Sequence, residues 1–527
     1  MTLRMSETRE RFRALQRQSR TMPGVRSYCR PVLLLLACSV FGTAHADTDD
    51  AKAAYLSGNF PVAQKEYRKA AELGHPQAQF NLGVMYYRGD GFERSAILAL
   101  AWMELAQDNG LEGIEDQIAA VKRQAGPEAQ PIVDALRSQF GPDAVAKNAL
   151  PQLEALTADV DFETPASADK ALRKLPALRS GGESVDMRGY PDFMRARPRP
   201  VDRLDALPTE QTELAKNETP EGFLGVQRLP DKFGALTADL LVAPDGSVRD
   251  VEVVVSLPKE YANRDWLVAA ARFRYPRLES AASPVSRVAH VDHVSGHDAL
   301  VDQMTARVWK DLAQKLKPCV DEGSPGCQFY AAVIPMPPEI YPRNTGLLLL
   351  QAAQGGFAKA QYLVGRRLAY GRFREPDKAR KWLQLALENG VTRAGIPLAR
   401  LEIESNAAGS WERARDLLAP SYDAVDEEVL LPLAALYAAC PDARLRNPEK
   451  ALSLVDHMRW RQGASPTTRE VTAAAAAAMG DFKRATKEQQ QAIALARELG
   501  WDVSALTARL ANYSQAHQPW FGDLLAF

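Results

Sequence analysis

Within the 527 residues, one stretch groups side chains able to hold a metal ion: His290, Asp292, His293, His297 and Asp298. Imidazole and carboxylate suit zinc or a related transition metal, provided the ligands converge on one point. On a strand His290 and Asp292 share a face and His293 points away. On a helix His290, His293 and His297 would align. The surrounding valines favour strand, so the group reads as solvent-exposed strand residues or loop contacts, and no metal or other cofactor is expected. Cys319 and Cys327 bracket a turn-rich stretch, Val320 to Gly326, and are expected to pair if the chain is exported. Cys440 closes an alanine-rich helical stretch before Pro441 and reads as a small core residue. No Gly-x-Ser-x-Gly elbow, no phosphate-cradling glycine loop and no His-Glu-x-x-His pattern occurs. The carboxylates are scattered over amphipathic helices, where a solvated face explains them, and no enzyme is expected.

Charge and targeting narrow the partners. The formal net charge is −1, and the first 46 residues hold eight arginines and two glutamates, so a chain starting at Asp47 carries −7. Nothing in that balance suggests a nucleic-acid surface. Val32 to Phe41 is an apolar run behind Arg26 and Arg30 that leads into Ala44-His45-Ala46. This is the form of a secretory signal peptide with Met22 as the start, and the run is too short to span a bilayer. Export to the periplasm is expected. In the alternative, Leu35-Leu36-Ala37-Cys38 is a lipobox and Cys38 an acylated anchor. Membrane contact is expected only with that lipid or a retained signal.

One local pattern recurs: glycine, a small or polar residue, an aromatic, two free positions and alanine. It reads Gly58-Asn59-Phe60 to Ala63, Gly409-Ser410-Trp411 to Ala414, and Gly480-Asp481-Phe482 to Ala485. A helix ends on a left-handed glycine, the aromatic plugs the gap to the next, and the alanine lets the two cross closely. Stacked helix hairpins follow, each burying its apolar face against its neighbours. Gly74 and Gly110 lie 36 residues apart, and Gly356 and Gly390 lie 34 apart. Trp102 and Trp382 occupy corresponding packing positions within the two periods. Between these helical stretches the period changes to two. Leu236, Ala238, Leu240 and Val242 alternate, Pro244-Asp245-Gly246 turns, and Val251, Val253 and Val255 alternate again. A hairpin with one buried face is expected, then a short helix over 263–272 and a third strand over 285–294. The proline- and arginine-rich residues 166–230 read as a semi-rigid linker or irregular cover.

The run Ala78-Gln79-Phe80-Asn81-Leu82-Gly83, Tyr86-Tyr87-Arg88-Gly89 and Ala101-Trp102 resembles a Sel1-like repeat, a relative of the tetratricopeptide repeat. Ala360-Gln361-Tyr362, Gly365, Tyr370-Gly371 and Lys381-Trp382 repeat the order. Residues after Val391 resemble degenerate tetratricopeptide repeats. The middle segment is similar to the TonB C-terminal domain in Gly234, the Asp245-Gly246 turn, Val251 to Ser256, Trp266 to Ala270, Phe273-Arg274-Tyr275-Pro276 and Ser283-Pro284-Val285. That resemblance implies a ββαβ fold whose last strand pairs with a peptide of an outer-membrane receptor. It makes Val285, Arg287, Ala289 and Val291 the expected partner-binding residues. The chain departs from that family in its cleavable apolar run, in helical repeats where a spacer would stand, and in Thr219-Pro220 replacing an opening Tyr-Pro.

The fold expected is α+β and mostly α, with helical-hairpin arrays on either side of a small ββαβ domain. The boundaries are 1–46 extension plus signal, 47–150 Sel1-like repeats, 151–218 linker, 219–297 TonB-like domain, 298–335 helix plus Cys-flanked loop, and 336–527 Sel1/tetratricopeptide-like repeats. The function expected is an exported scaffold that binds other proteins; the alternative is a transport accessory contacting TonB-dependent receptors.

Overall fold

A computed structural model describes residues 47–153, 156, 234–257, 270–276, 286–295, 299–370, 373–419, 427–462 and 465–522. The signal segment, the Pro/Arg-rich linker, Val285 and most of the expected 263–272 helix lie outside the described residues.

Helices dominate. The first group is α1 Thr48–Leu56, α2 Phe60–Glu72, α3 Pro76–Arg88, α4 Ala96–Asp108, α5 Glu115–Ala125, α6 Gln130–Phe140 and α7 Pro142–Asn148. Three strands follow, β1 Gly234–Val242, β2 Val248–Leu257 and β3 Arg287–Ser295. The second helical group is α8 Ala299–Asp321, α9 Pro325–Val333, α10 Thr345–Gln354, α11 Ala358–Ala369, α12 Pro376–Glu388, α13 Gly395–Glu404, α14 Ser410–Leu418, α15 Glu427–Ala439, α16 Pro448–Gln462, α17 Pro466–Ala478, α18 Phe482–Glu498 and α19 Ser504–Ala511.

The hairpin grammar has a visible cause. Gly58, Gly409 and Gly480 take φ of 78°, 74° and 83° at the breaks between helices. Phe60, Trp411 and Phe482 open the helices that follow and are half-buried, while Ala63, Ala414 and Ala485 are fully buried. Phe60 packs on Tyr55 of α1, ring centroids 5.6 Å apart. Polar side chains cap the helix starts that packing leaves open: Ser95 for α4, Asn344 for α10 and a Ser465/Thr468 capping box for α17. The alanine run is a packing device, with Ala473 to Ala477 buried against α18 and its neighbours. Cys440 is buried as a free thiol, and burial pushes its pKa up.

The two helical groups abut although the sheet separates them in sequence. Trp382 Nε1 donates to the Ala149 carbonyl (2.8 Å), Lys378 Nζ to that of Leu150 (2.8 Å) and Gln354 Nε2 to that of Leu73 (2.8 Å). Leu73, Val145 and Ala149 join α8 to α12 in one apolar core. Helices α13 to α17 extend the stack, and Ala399 and later residues build a separate core.

The sheet is antiparallel in the order β2-β1-β3. The expected single buried face is corrected: both faces are covered. Leu236, Ala238, Leu240 and Val242 meet Ala492, Ile493 and Ala496 of α18 and Leu506 of α19. Ala235, Leu241, Val254 and Val288 meet the core built by α8 to α12. The strands are therefore an internal layer clamped between distant helices, not a free-standing hairpin domain.

Candidate interaction surface

The polar centre of the molecule lies where the sheet meets α11. Asp239 on β1 stands opposite Glu252 on β2, with Asp250 two residues before Glu252. Alternation puts the three carboxylates on one face. Against them α11 presents Tyr362, Arg366 and Arg367, and the turn after α12 adds Arg393. Arg367 grips both Asp239 oxygens, Nη2 to Oδ1 at 3.2 Å and Nε to Oδ2 at 3.4 Å. Arg366 reaches Asp250 Oδ2 at 3.2 Å and Glu252 Oε2 at 3.4 Å. Arg393 Nη2 donates to Asp250 Oδ2 at 2.6 Å, and the Tyr362 hydroxyl to Glu252 Oε2 at 2.8 Å. Three guanidiniums balance three carboxylates in a largely buried site, with Asp239 fully buried and Arg366 3% exposed. Burial would push Asp250 up, yet the Arg393 and Arg366 charges outweigh it and hold its carboxyl below the ordinary range. Tyr362 is pushed well above its usual value, first by burial and then by Glu252. These paired charges can position the sheet, and none is left over to do acid–base work.

The opposite face is fixed at the hairpin turn. Asp245 Oδ2 accepts from the Asp502 backbone N–H (2.7 Å) and from Arg249 Nη2 (3.1 Å), and the Arg249 guanidinium lies 3.9 Å from the centre of the Trp501 ring.

Of the expected partner-binding residues, Val285 lies outside the described residues. Arg287 stands opposite Val242 in the ladder. Ala289 is fully buried and Val291 half-buried, both in the cluster shared with α18 and α19. Those two side chains serve the interior. Among the described residues β3 bonds only β1. His290 stands opposite Asp239 and Asp292 opposite Thr237; the side chains of His290, Asp292 and His293 lie outside the described ones, as do His297 and Asp298. Among the described residues no three His, Cys, Asp or Glu are grouped to hold a metal, and no helix is long and apolar enough to cross a membrane.

Beside the junction between the helical groups, α8 is stapled to α9. Cys319 and Cys327 form a disulfide, Cα atoms 5.9 Å apart. The stretch between them is less loop-like than expected: α8 runs to Asp321, and Ser324 caps α9 just before Pro325. Ser324 Oγ also donates to Asp49 Oδ2 at 2.7 Å, tying the staple to α1. A Cys319→Ser/Cys327→Ser variant is expected to lose about 2–3 kcal/mol, the loop-entropy scale of so short a ring. Urea melts with and without dithiothreitol check this, since reductant must weaken the parent and leave the variant unchanged.

Asp47, Asp49 and Asp50 crowd the same junction, where Asp47 caps α1 by accepting from the Asp49 and Asp50 amides. Burial, and then the neighbouring Asp49 and Glu66 against an opposing Asp47 contact, raises Asp50 to about 6. A carboxyl raised in the folded state binds its proton more tightly there, so its contribution is intact at low pH and is lost as pH rises from about 4 to 6. Asp50→Asn is therefore expected to gain about 1–2 kcal/mol at pH 7.5, discounted for partial exposure, and little at pH 4. Urea midpoints of both proteins at the two pH values measure it.

The two 34–36-residue periods share one buried hydrogen-bond device. Gln79 Nε2 donates to the Ala71 carbonyl (3.0 Å) while its Oε1 accepts from Asn109 Nδ2 (3.0 Å). Gln361 does the same with Ala353 (3.1 Å) and Asn389 (2.9 Å). Gly83 and Gly365 sit where the paired helices touch; a Cβ at either would lie 2.7 Å from Met103 Cγ or Leu383 Cγ. The Sel1 repeat family matches residues 67–75, 76–111 and 358–391. The chain carries Sel1 repeats. The crystal structure of c5321, a protective antigen present in uropathogenic Escherichia coli strains displaying an SLR fold, is similar at 16% identity over 90% of this chain and 86% of that one, with a TM-score of 0.28. No curated protein matches the chain. Sequence reasoning located the Sel1 repeats but missed the buried charge network, which joins residues more than 100 positions apart.

Proposed function

We propose that this is an exported scaffold that binds other proteins through its Sel1 stack and the main-chain edge of β3. The observation that carries the reading is the pair of Sel1 repeats at 67–111 and 358–391, in helical groups that pack directly on one another, since stacked repeats of this kind bind partners. The Cys319–Cys327 bond supports export, because such bonds persist in oxidising compartments. Cleavage after Ala46 would start the mature chain at Asp47, where the α1 cap begins.

A transport role is the second reading, favoured by the strand order β2-β1-β3 with β3 outermost. In it the TonB-like middle segment pairs with a receptor peptide by β-augmentation.

Photo-crosslinking residues placed at Arg287 and Ser295 on β3, and at exposed Val62 and Leu347 on the helices, test both in periplasmic extracts. Capture of an outer-membrane receptor from β3 alone supports transport. Capture from the helical positions places the scaffold role in the Sel1 stack. Absence of any captured protein from all four positions overturns the scaffold.

A further inference from the structure

The last described residues double back over the end of the helical array. A π-turn over Asn512–Ala516 ends at His517, whose φ of 49° is left-handed for a residue with a Cβ. Such a conformation costs on the order of 1 kcal/mol and persists where surrounding contacts impose it. The residues after it belong to no helix or strand. Trp520 packs with Ala473, Ala476 and Ala477 of α17, Ala485 of α18 and Tyr513. Phe521 lies under the Arg446 guanidinium, 3.7 Å from its ring centre, and the Gly522 N–H donates to the Ala439 carbonyl of α15 at 2.7 Å.

The fit is incomplete. Tyr513 is fully buried, and its hydroxyl has no hydrogen-bond partner; the Trp520 indole N–H is also buried without one. Each such orphan costs about 1–3 kcal/mol relative to a satisfied group. Phe521 remains 38% exposed. A floor of four alanines leaves room for large aromatic rings, the Arg446 guanidinium stands over one of them, and the Tyr513 hydroxyl waits beside them for an acceptor the tail does not supply.

We propose that this surface of α15, α17, α18 and Tyr513 is a docking groove for an extended segment of a partner protein bearing two adjacent aromatic residues, held at rest by the chain's own Gln518–Gly522. The proposal deepens the scaffold reading and rests on it for the existence of a partner. The tethered tail competes at an effective concentration on the order of millimolar, so weakening the tail is the way to expose the groove.

The probe is a fluorescent peptide of residues 517–527, titrated into the full chain and into full-length Trp520→Ala/Phe521→Ala. Binding to the double variant at least tenfold tighter than to the parent, lost when the peptide itself carries Trp520→Ala, is the expected result. Equal binding to both chains, or none to a double variant whose circular dichroism matches the parent, overturns the groove. Should the double variant misfold, Phe521→Ala alone removes an exposed ring and is expected to improve binding several-fold. Random peptides displayed against the opened chain are expected to enrich adjacent aromatics; enrichment without them overturns the assigned chemistry. Tail exchange between copies, read as a concentration-dependent dimer of the parent in sedimentation, overturns the partner assignment in favour of a second copy. None of these readouts uses the cellular crosslinks, so this groove and the scaffold role fail separately.

Discussion

Arg366→Met is expected to cost about 3–5 kcal/mol and to loosen the sheet from α11, because it removes one partner from a buried and balanced set of charges. Asp239 keeps Arg367, and Glu252 keeps Tyr362 and Arg393. Three carboxylates then face two guanidiniums in a largely buried site. Urea unfolding monitored by circular dichroism measures the loss, and a change under 1 kcal/mol would sink the argument. The companion Arg366→Met/Glu252→Gln is expected to recover part of it, since the charge count closes again and a double-mutant cycle isolates the coupling. Acid adds a second check. Asp250 has a depressed folded value, so its contribution is present above about 3.9, the unfolded value, and is lost as pH falls through the lower folded one. Arg366 is one of the two charges holding it down, so the variant is expected to begin its acid transition at higher pH than the parent.

Gly246→Ala is expected to cost about 2–4 kcal/mol, through backbone strain and overlap together. Gly246 has φ of 81°, and its carbonyl accepts from the Tyr275 N–H at 2.9 Å. A Cβ there would lie 2.0 Å from the Tyr275 carbonyl oxygen, so the strand end and the Phe273–Tyr275 segment could not keep their contact. The neighbouring Asp245 and Arg249 hold the turn to Asp502 and Trp501, so the near-ultraviolet signal of Trp501 should change with stability. Gly480→Ala is the control. Its φ is 83° but no atom lies within 4 Å of a Cβ, so only the conformational cost of about 1 kcal/mol remains. Equal losses at the two glycines would refute the role of the Tyr275 contact.

The Sel1 repeats were legible because their determinants are local: a glycine at a helix break, an alanine or glycine at a crossing, a tryptophan one period on. The first two strands were legible from alternation and the third from its valine-rich run, and the structure extends β1 back to Gly234 and shifts β3 to Arg287–Ser295. The second covered face was not. Thr237 and Asp239 interrupt β1 as a solvent face would, and both are fully buried. The arginines that admit Asp239 to the interior lie 127 and 128 residues away, a pairing that no local period encodes. Ala235 and Leu241 on the same face were the available hint. Likewise, Ala289 and Val291 alternate as a recognition strand would, but α18 and α19 take that face. The contact between the helical groups left no trace in the repeat spacing, since Trp382 occupies the same packing position whether or not Ala149 is there to accept its N–H.

That contact sets an order for synthesis. The open end of the first helical group, Leu73, Val145 and Ala149, is closed by helices of the second, and the Trp382 hydrogen bond to Ala149 spans 233 residues. At ribosomal speeds of about 5–20 residues per second, that apolar end waits on the order of 10–50 s for its cover. Slowing translation between residues 150 and 382 is therefore expected to lengthen that exposure without altering the finished fold.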